Sequence, residues 1–279
     1  MKNTRFVIFW VLVFVALVGT TLAQDDTFPL TIEDETGTAL TFDEPVEDVL
    51  CLSIGCIDHL YQLGLQPAGV TDLLVMPFEM HYGGDPESVT VIPGGMQPDL
   101  EQITAMSPDL IIGQAGFFDA LREPLAEVAP MYLTFPNDVE ETISELLAVG
   151  AMTGHAEEAE MAAAAFEAKL EAYRAEAPGD TSVMIVFGAA DESNMFLEAA
   201  NGQTCQMLVG LAECPFELPE NASPMAAFGY DNFSFEKILE VDPDVIFFAG
   251  YNPDRSANDE VMQALDASPL WSALGAVEA

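Results

Sequence analysis

Basic side chains are what this sequence most lacks: 7 Lys and Arg stand against 47 Asp and Glu in 279 residues, a formal net charge of −40. Neutralising a phosphate backbone needs clustered Lys and Arg, so a nucleic-acid partner is excluded and a polyanionic ligand is disfavoured. Histidine is nearly as scarce. His59, His81 and His155 are too few for the imidazole cage of a zinc or manganese receptor, and no acidic cluster has calcium-loop spacing. Cysteine is confined to Cys51, Cys56, Cys205 and Cys214, with no C-x-x-C spacing of a redox or zinc site. These four suit an oxidising compartment and allow three disulfide pairings, among which spacing does not choose. The motif G-x-S-x-G is missing as well. Residues 51–55 read Cys-Leu-Ser-Ile-Gly, and no His follows His155 to complete a hydrolase triad late in the chain. Ser53 is therefore read as a helix cap, and the chain as a binder rather than an enzyme.

What is present is a globular body behind an address. Half the residues are hydrophobic, too many for a disordered acidic tail, and the length suffices for one large domain or two smaller ones. The acids are spread along the chain, which reads as a strongly hydrated acidic surface. Residues 1–23 carry Lys2 and Arg5, an apolar run over 6–18, and Thr21-Leu22-Ala23 ahead of Gln24, the pattern of a cleaved signal peptide. The alternative is an uncleaved anchor, since the apolar stretch is nearly long enough to span a bilayer. No Cys follows the cleavage site, so no lipid anchor is expected, and the body belongs on the periplasmic or extracellular side of the cell membrane.

Beyond the signal segment, strands are predicted at 49–53, 68–71 and 110–113, with a helix over 57–63 that stops at Gly64. Such alternation implies a mostly parallel sheet covered by helices on both faces. From 155 to 177 runs an Ala- and Glu-rich stretch without Pro or Gly, a long helix ending at Pro178-Gly179. A new strand follows at 182–187. An internal repeat ties the halves together. Asp99-Leu100-Glu101-Gln102-Ile103 leads into Ser107-Pro108-Asp109-Leu110-Ile111-Ile112, and Ser234-Phe235-Glu236-Lys237-Ile238 leads into Asp242-Pro243-Asp244-Val245-Ile246-Phe247. Each reads as an N-capped short helix, a proline stop and a buried strand. The architecture implied is α/β: two Rossmann-like lobes with parallel-rich sheets, at 24–154 and 178–279, joined by a single long helix at 155–177. Open α/β sheets bind ligands beyond the C-terminal ends of their strands, which here means a cleft between the lobes.

These segments, with the opening 31–46 stretch and the tail containing Ser268-Pro269-Leu270-Trp271, resemble the substrate-binding proteins of ABC importers for ferric siderophores, haem and cobalamin. The resemblance implies a monomeric receptor, without a cofactor of its own, that passes a metal chelate to a permease dimer in the inner membrane. Relatives usually continue past 275–277 with another strand and a closing helix, so the second lobe is expected to be incomplete. Candidate cleft residues are Cys56, Tyr82, Met96, Gln97, Phe117 and Phe118 in the first lobe. Phe187, Asn194, Phe196, Asn201, Tyr230, Tyr251 and Arg255 are those of the second. Family members that take triply anionic catecholates tend to show several cleft arginines. Their scarcity here implies a neutral or weakly charged ligand, a hydroxamate-type ferric chelate or a corrinoid, with haem the other possibility in the family. Glu101 and Glu236 match the glutamates that dock such receptors on the paired permease subunits, although acids in a helix's first turn also suit the macrodipole alone. A hydrolase using the cleft is the remote alternative from another class, and a structural or adhesion module is a third.

Overall fold

The computed structural model describes residues 28–83, 88–191, 194–248, 262–263 and 265–278. The predicted signal peptide, Tyr251 and Arg255 lie outside the described residues.

An antiparallel hairpin opens the chain, β1 (Leu30–Glu33) against β2 (Ala39–Phe42). Asp34 organises its turn by accepting from Thr36 N–H at 3.0 Å, Thr36 Oγ1 at 2.7 Å and Thr38 N–H at 3.1 Å. The first lobe then alternates as expected. Its elements are β3 (Val49–Cys51), α1 (Ile54–Gln62), β4 (Gly69–Thr71), α2 (Val75–Tyr82) and β5 (Thr90–Ile92). They continue as α3 (Leu100–Met106), β6 (Leu110–Gln114), α4 (Arg122–Leu125) and β7 (Met131–Thr134). The five strands lie in the order β5-β4-β3-β6-β7, and every neighbouring pair is parallel. Alternate residues of β3 feed two cores. Val49 and Cys51 pack with Ile57, Phe78 and Val149, whereas Leu50 packs with Ile103 and Leu125 on the opposite face. A sheet covered on both faces needs apolar residues at every position, which is why β3 and residues 110–113 are fully buried. Strand order reverses between β3 and β6, which opens a crevice beyond their C-terminal ends.

Two helices leave this lobe. Asp138 caps α5 (Val139–Thr153) by accepting from Glu141 N–H at 2.9 Å, and Gly154 turns the chain with φ 74°. The breaker-free stretch forms one helix, α6 (Ala156–Glu176), about 30 Å long at 1.5 Å per residue. It buries Ala159 and Ala163 against α5, where a side chain on Gly150 would stand 2.4 Å from Ala159 Cβ. At its far end Arg174 Nε donates to Val209 O of the second lobe at 3.0 Å.

The second lobe comprises β8 (Val183–Asp191), β9 (Asn194–Glu198), α7 (Gln203–Met207), β10 (Tyr230–Ser234), α8 (Phe235–Val241) and β11 (Val245–Phe248). Here the expectation of a parallel-rich sheet needs correction. The order is β10-β9-β8-β11, and among the described strands only β8 and β11 run parallel. Two residues separate β8 from β9 in sequence, too few for the crossover that parallel pairing needs. Met184, Met195, Phe216, Phe233, Trp271 and Leu274 form the core of this lobe.

The repeat survives in three dimensions. α3 and α8 are capped by Asp99 and Ser234, and each ends on a left-handed residue just before proline, Ser107 (φ 51°) and Asp242 (φ 47°). These are the two non-glycine residues with positive φ in the described chain. Asp109 Oδ2 then accepts from the N–H groups of Glu47 and Asp48 at 3.0 and 2.9 Å. Asp244 Oδ2 likewise accepts from Ser182 N–H at 2.8 Å and Ser182 Oγ at 2.7 Å, which holds its carboxyl below the usual carboxylate range.

Candidate functional site

A cavity of about 600 Å³ lies between the lobes, at the C-terminal ends of the first-lobe strands. Leu52 and Ser53 follow β3, Thr71 ends β4 with Leu73 just beyond it, Gln114 ends β6 with Phe117 beyond it, and Thr134 ends β7 with Phe135 and Pro136 following. Ser53 behaves as the cap that its position predicts, accepting from Cys56 N–H at 3.3 Å. The α1 turn it starts brings Ile54, Gly55, Asp58 and His59 to the floor, and α5 adds Thr142 and Glu145.

The second lobe contributes aromatic area. Phe187, Phe196 and Tyr230 come from the neighbouring strands β8, β9 and β10, and Tyr230 meets Phe187 edge-on at 4.9 Å and Phe196 stacked at 6.0 Å. Gln203 and Met207 extend from α7, with Met225 beside them. Contacts among described residues close the lobes on each other. Phe228 packs on Phe117 at 4.4 Å and on Phe135 at 5.6 Å, and Gln203 Nε2 donates to Pro136 O at 2.6 Å. Gly116 makes the first possible, since it has φ 82° and a Cβ there would press on the Phe228 ring at 3.2 Å.

Of the residues singled out from sequence, Met96, Phe117, Phe118, Phe187, Phe196 and Tyr230 line this cavity. Four candidates with described side chains, Cys56, Tyr82, Gln97 and Asn201, do not. Cys56 is fully buried in a disulfide with Cys51, tying the first turn of α1 back to β3. Tyr82 stacks on Phe78 and donates to Leu65 O at 2.7 Å, and burial pushes its phenol up. Gln97 and Asn201 are exposed outside the lining. Asn194 begins β9, and its backbone pairs there with Ser234. Cys205 pairs with Cys214, so both disulfides staple segments that reach the cleft.

Sequence reasoning missed His59 and Glu145, whose side chains are 4% and 3% exposed with His59 Nε2 3.5 Å from Glu145 Oε2. A signal existed. Glu145, Val149 and Met152 share the buried stripe of α5, so one acid stands among apolar positions at helical spacing. Glu35, whose carboxylate accepts from Phe135 N–H beneath the rim, is pushed up by burial and then by the charges of Glu141, Glu145 and Asp34. No Lys or Arg lines the cavity among the described residues. The cations that the structure describes are engaged elsewhere: Arg122 with Asp34, Lys237 with Glu240 at 3.2 Å, Lys169 over the Tyr173 ring, and Arg174 with Val209 O. The described lining offers π surface, apolar area and a few polar groups, with no Lys or Arg to counter an anion.

A family model described as periplasmic binding protein matches residues 49–279. The chain is similar to the Fe(3+)-citrate-binding protein YfmC of Bacillus subtilis, with 24% identity over 249 residues, 88% of this chain and 75% of that protein. It is also similar to the Fe(3+) dicitrate-binding periplasmic protein FecB of Escherichia coli, with 23% identity over 266 residues, 93% and 83% of the two chains. Among solved structures, the petrobactin-binding protein YclQ of Bacillus subtilis superposes with a TM-score of 0.72 at 14% identity, covering 89% of this chain and 86% of that one. At that identity the likeness shows the fold, two lobes around a cleft.

Proposed function

Because this chain belongs to the periplasmic binding protein family, we propose that it is an extracytoplasmic receptor that captures an intact ferric chelate between its lobes and delivers it to an ABC importer. The observation that carries the reading is the interlobe cavity of about 600 Å³, walled by Phe117, Phe135, Phe187, Phe196 and Tyr230. Its volume falls within the usual range for small-molecule sites. The relatives' names support ferric citrate as one candidate ligand. The lining argues for less charge, because an anion buried without cationic partners is costly. Neutral ferric hydroxamates or corrinoids therefore bind better than triply charged ferric catecholates. Trp271, buried in the second-lobe core and the one tryptophan beyond residue 23, reports binding through fluorescence quenching. A titration panel of ferrichrome, ferric citrate, a ferric catecholate, haem and cobalamin tests the reading. Saturable 1:1 binding of an intact ferric chelate is expected, and a clear catecholate preference overturns the charge argument. Binding of haem or cobalamin alone replaces the ligand class, and no binding at all overturns the receptor.

Delivery needs a docking surface. Glu101 and Glu236 stand exposed in the first turns of α3 and α8, at equivalent points of the repeat, and suit a partner of two-fold symmetry. Reversal of both to Lys is expected to leave folding and ligand affinity intact and to abolish transport, while Glu158→Lys on α6 does neither. Transport by the double variant overturns the docking role. Among the described residues no helix is long and apolar enough to cross a membrane. Residues 1–23 are the export signal of this reading, and mass spectrometry of the exported protein should find Gln24 as its first residue.

A further inference from the structure

Four buried side-chain atoms among the described residues have no hydrogen-bond partner, and two of them, His59 Nε2 and Glu145 Oε2, belong to cleft-lining residues. They face each other from α1 and α5 across 3.5 Å. Buried polar atoms in this condition carry a desolvation penalty that one shared partner would remove. The other acid of the floor differs. Asp58 Oδ1 has His81 Nε2 at 3.1 Å and accepts from Gln62 Nε2 at 3.4 Å. Within the floor, the lack of a hydrogen-bond partner is thus confined to the His59–Glu145 pair.

Gly55 governs access to the pair. It lines the cleft, and a Cβ built on it would stand 3.7 Å from Glu145 Oε1 and 4.0 Å from His59 Nε2. The missing side chain leaves a small gap on the cleft side, backed by both polar groups.

We propose that Gly55, His59 and Glu145 form a subsite for a free hydroxyl group carried by the bound chelate. A hydroxyl donates and accepts at once, so its O–H reaches the Glu145 carboxylate while its oxygen accepts from His59 Nε2–H. A carboxylate on the ligand would meet Glu145 as a like charge, and an apolar group would leave both atoms unpaired. An ammonium would suit Glu145 but not an imidazole that donates. No group of three or more His, Cys, Asp or Glu that could hold a metal ion occurs among the described residues, so a metal would find two donors here. The inference rests on the receptor reading above and deepens it by assigning one contact of the ligand.

Ferrichrome and ferricrocin test it, because these neutral ferric trihydroxamates differ by one hydroxymethyl group. The full-length exported protein is expected to bind ferricrocin about 10- to 100-fold more tightly, the range for a hydrogen bond to a charged group. Gly55→Ala keeps both polar side chains, replaces glycine with the better helix former and fills the gap. It should weaken ferricrocin more than ferrichrome and bring the ratio near one. Glu145→Gln, which keeps the side-chain shape, should shrink the ratio with thermal melting checked in parallel. Equal affinities for the two chelates in the unaltered protein, or a preference that survives Gly55→Ala, overturn the subsite. If neither chelate binds, the subsite falls, and the ferric citrate titration decides separately whether the receptor reading survives.

Discussion

The two lobes share a repeated module, yet one buried acid from each, Asp34 in the first and Glu198 in the second, is held in opposite ways. In the first lobe Asp34 sits where burial alone would raise its pKa. Hydrogen bonds from Thr36, Arg122, Leu133 N–H and Thr38 outweigh that and hold it below the usual carboxylate range. In the second lobe Glu198 is also buried. Its Oε1 accepts from Cys205 N–H at 3.0 Å and Thr204 adds hydrogen bonds, but Oε2 has no partner, and burial outweighs these bonds and pushes it up. The first acid is a clamp that works when charged. The second is a wedge under α7 that is most stable when neutral. The same division runs through the cleft, where the first lobe supplies the polar floor and the second the aromatic strand wall. Duplicated topology therefore fixes where a wall stands and leaves its chemistry free.

The comparison is broken most forcefully at Asp34. Asp34→Ala leaves the buried Leu133 N–H without its side-chain acceptor and takes the carboxylate from Arg122, which keeps Met131 O, and should cost the first lobe about 3–5 kcal/mol. Denaturation followed by circular dichroism should move to lower denaturant, while Trp271 fluorescence, which reports the second lobe, should move much less. Coincident shifts would mean that the lobes unfold as one unit. Next in size is Gly202→Ala, whose Cβ would stand 2.2 Å from Glu198 Cγ. Overpacking of this kind costs about 1–3 kcal/mol, and here the Trp271 transition should respond first.

Acidity sharpens the contrast. Asp34 contributes stability that is present above its unfolded pKa and lost as pH falls through its lowered folded value. Glu198 has a raised folded pKa, so the stability associated with it is greatest below its unfolded pKa and declines as pH rises through the folded value. Glu198→Gln should flatten that decline in the Trp271 transition and leave the acid limb unchanged. An unaltered slope would remove Glu198 from the account. The smallest effect expected is on shape. A continuous α6 and the Phe117–Phe228–Phe135 contacts resist wide hinge closure, so small-angle scattering should change little on ligand binding. A contraction typical of wide closure would contradict this.

Local signals made the repeat legible: a capping residue, a proline stop and an apolar strand are each written within a few residues. The breaker-free α6 was legible for the same reason, and so were Phe187, Phe196 and Tyr230, which stand on strands that reach the cleft. Cys56 and Tyr82 were misplaced because position along the chain does not tell which side of a helix faces the core. A disulfide turns one inward, and a carbonyl partner holds the other. The antiparallel course of β9 follows from a connection of only two residues, which apolar patterning does not mark. His59 and Glu145 meet from helices 86 residues apart, and no local pattern records that meeting.

The left-handed steps at Ser107 and Asp242, with Asp109 and Asp244 fastened behind them, sit at the N-terminal ends of β6 and β11. The ligand cavity lies at the opposite end of β6, at Gln114 and Phe117. The repeated part of the molecule is thus an exposed seam at one end of the strands, and the walls that differ stand at the far rim. A breeder of new receptors could randomise residues 114–118 and 134–136 and keep each seam as the fixed graft line.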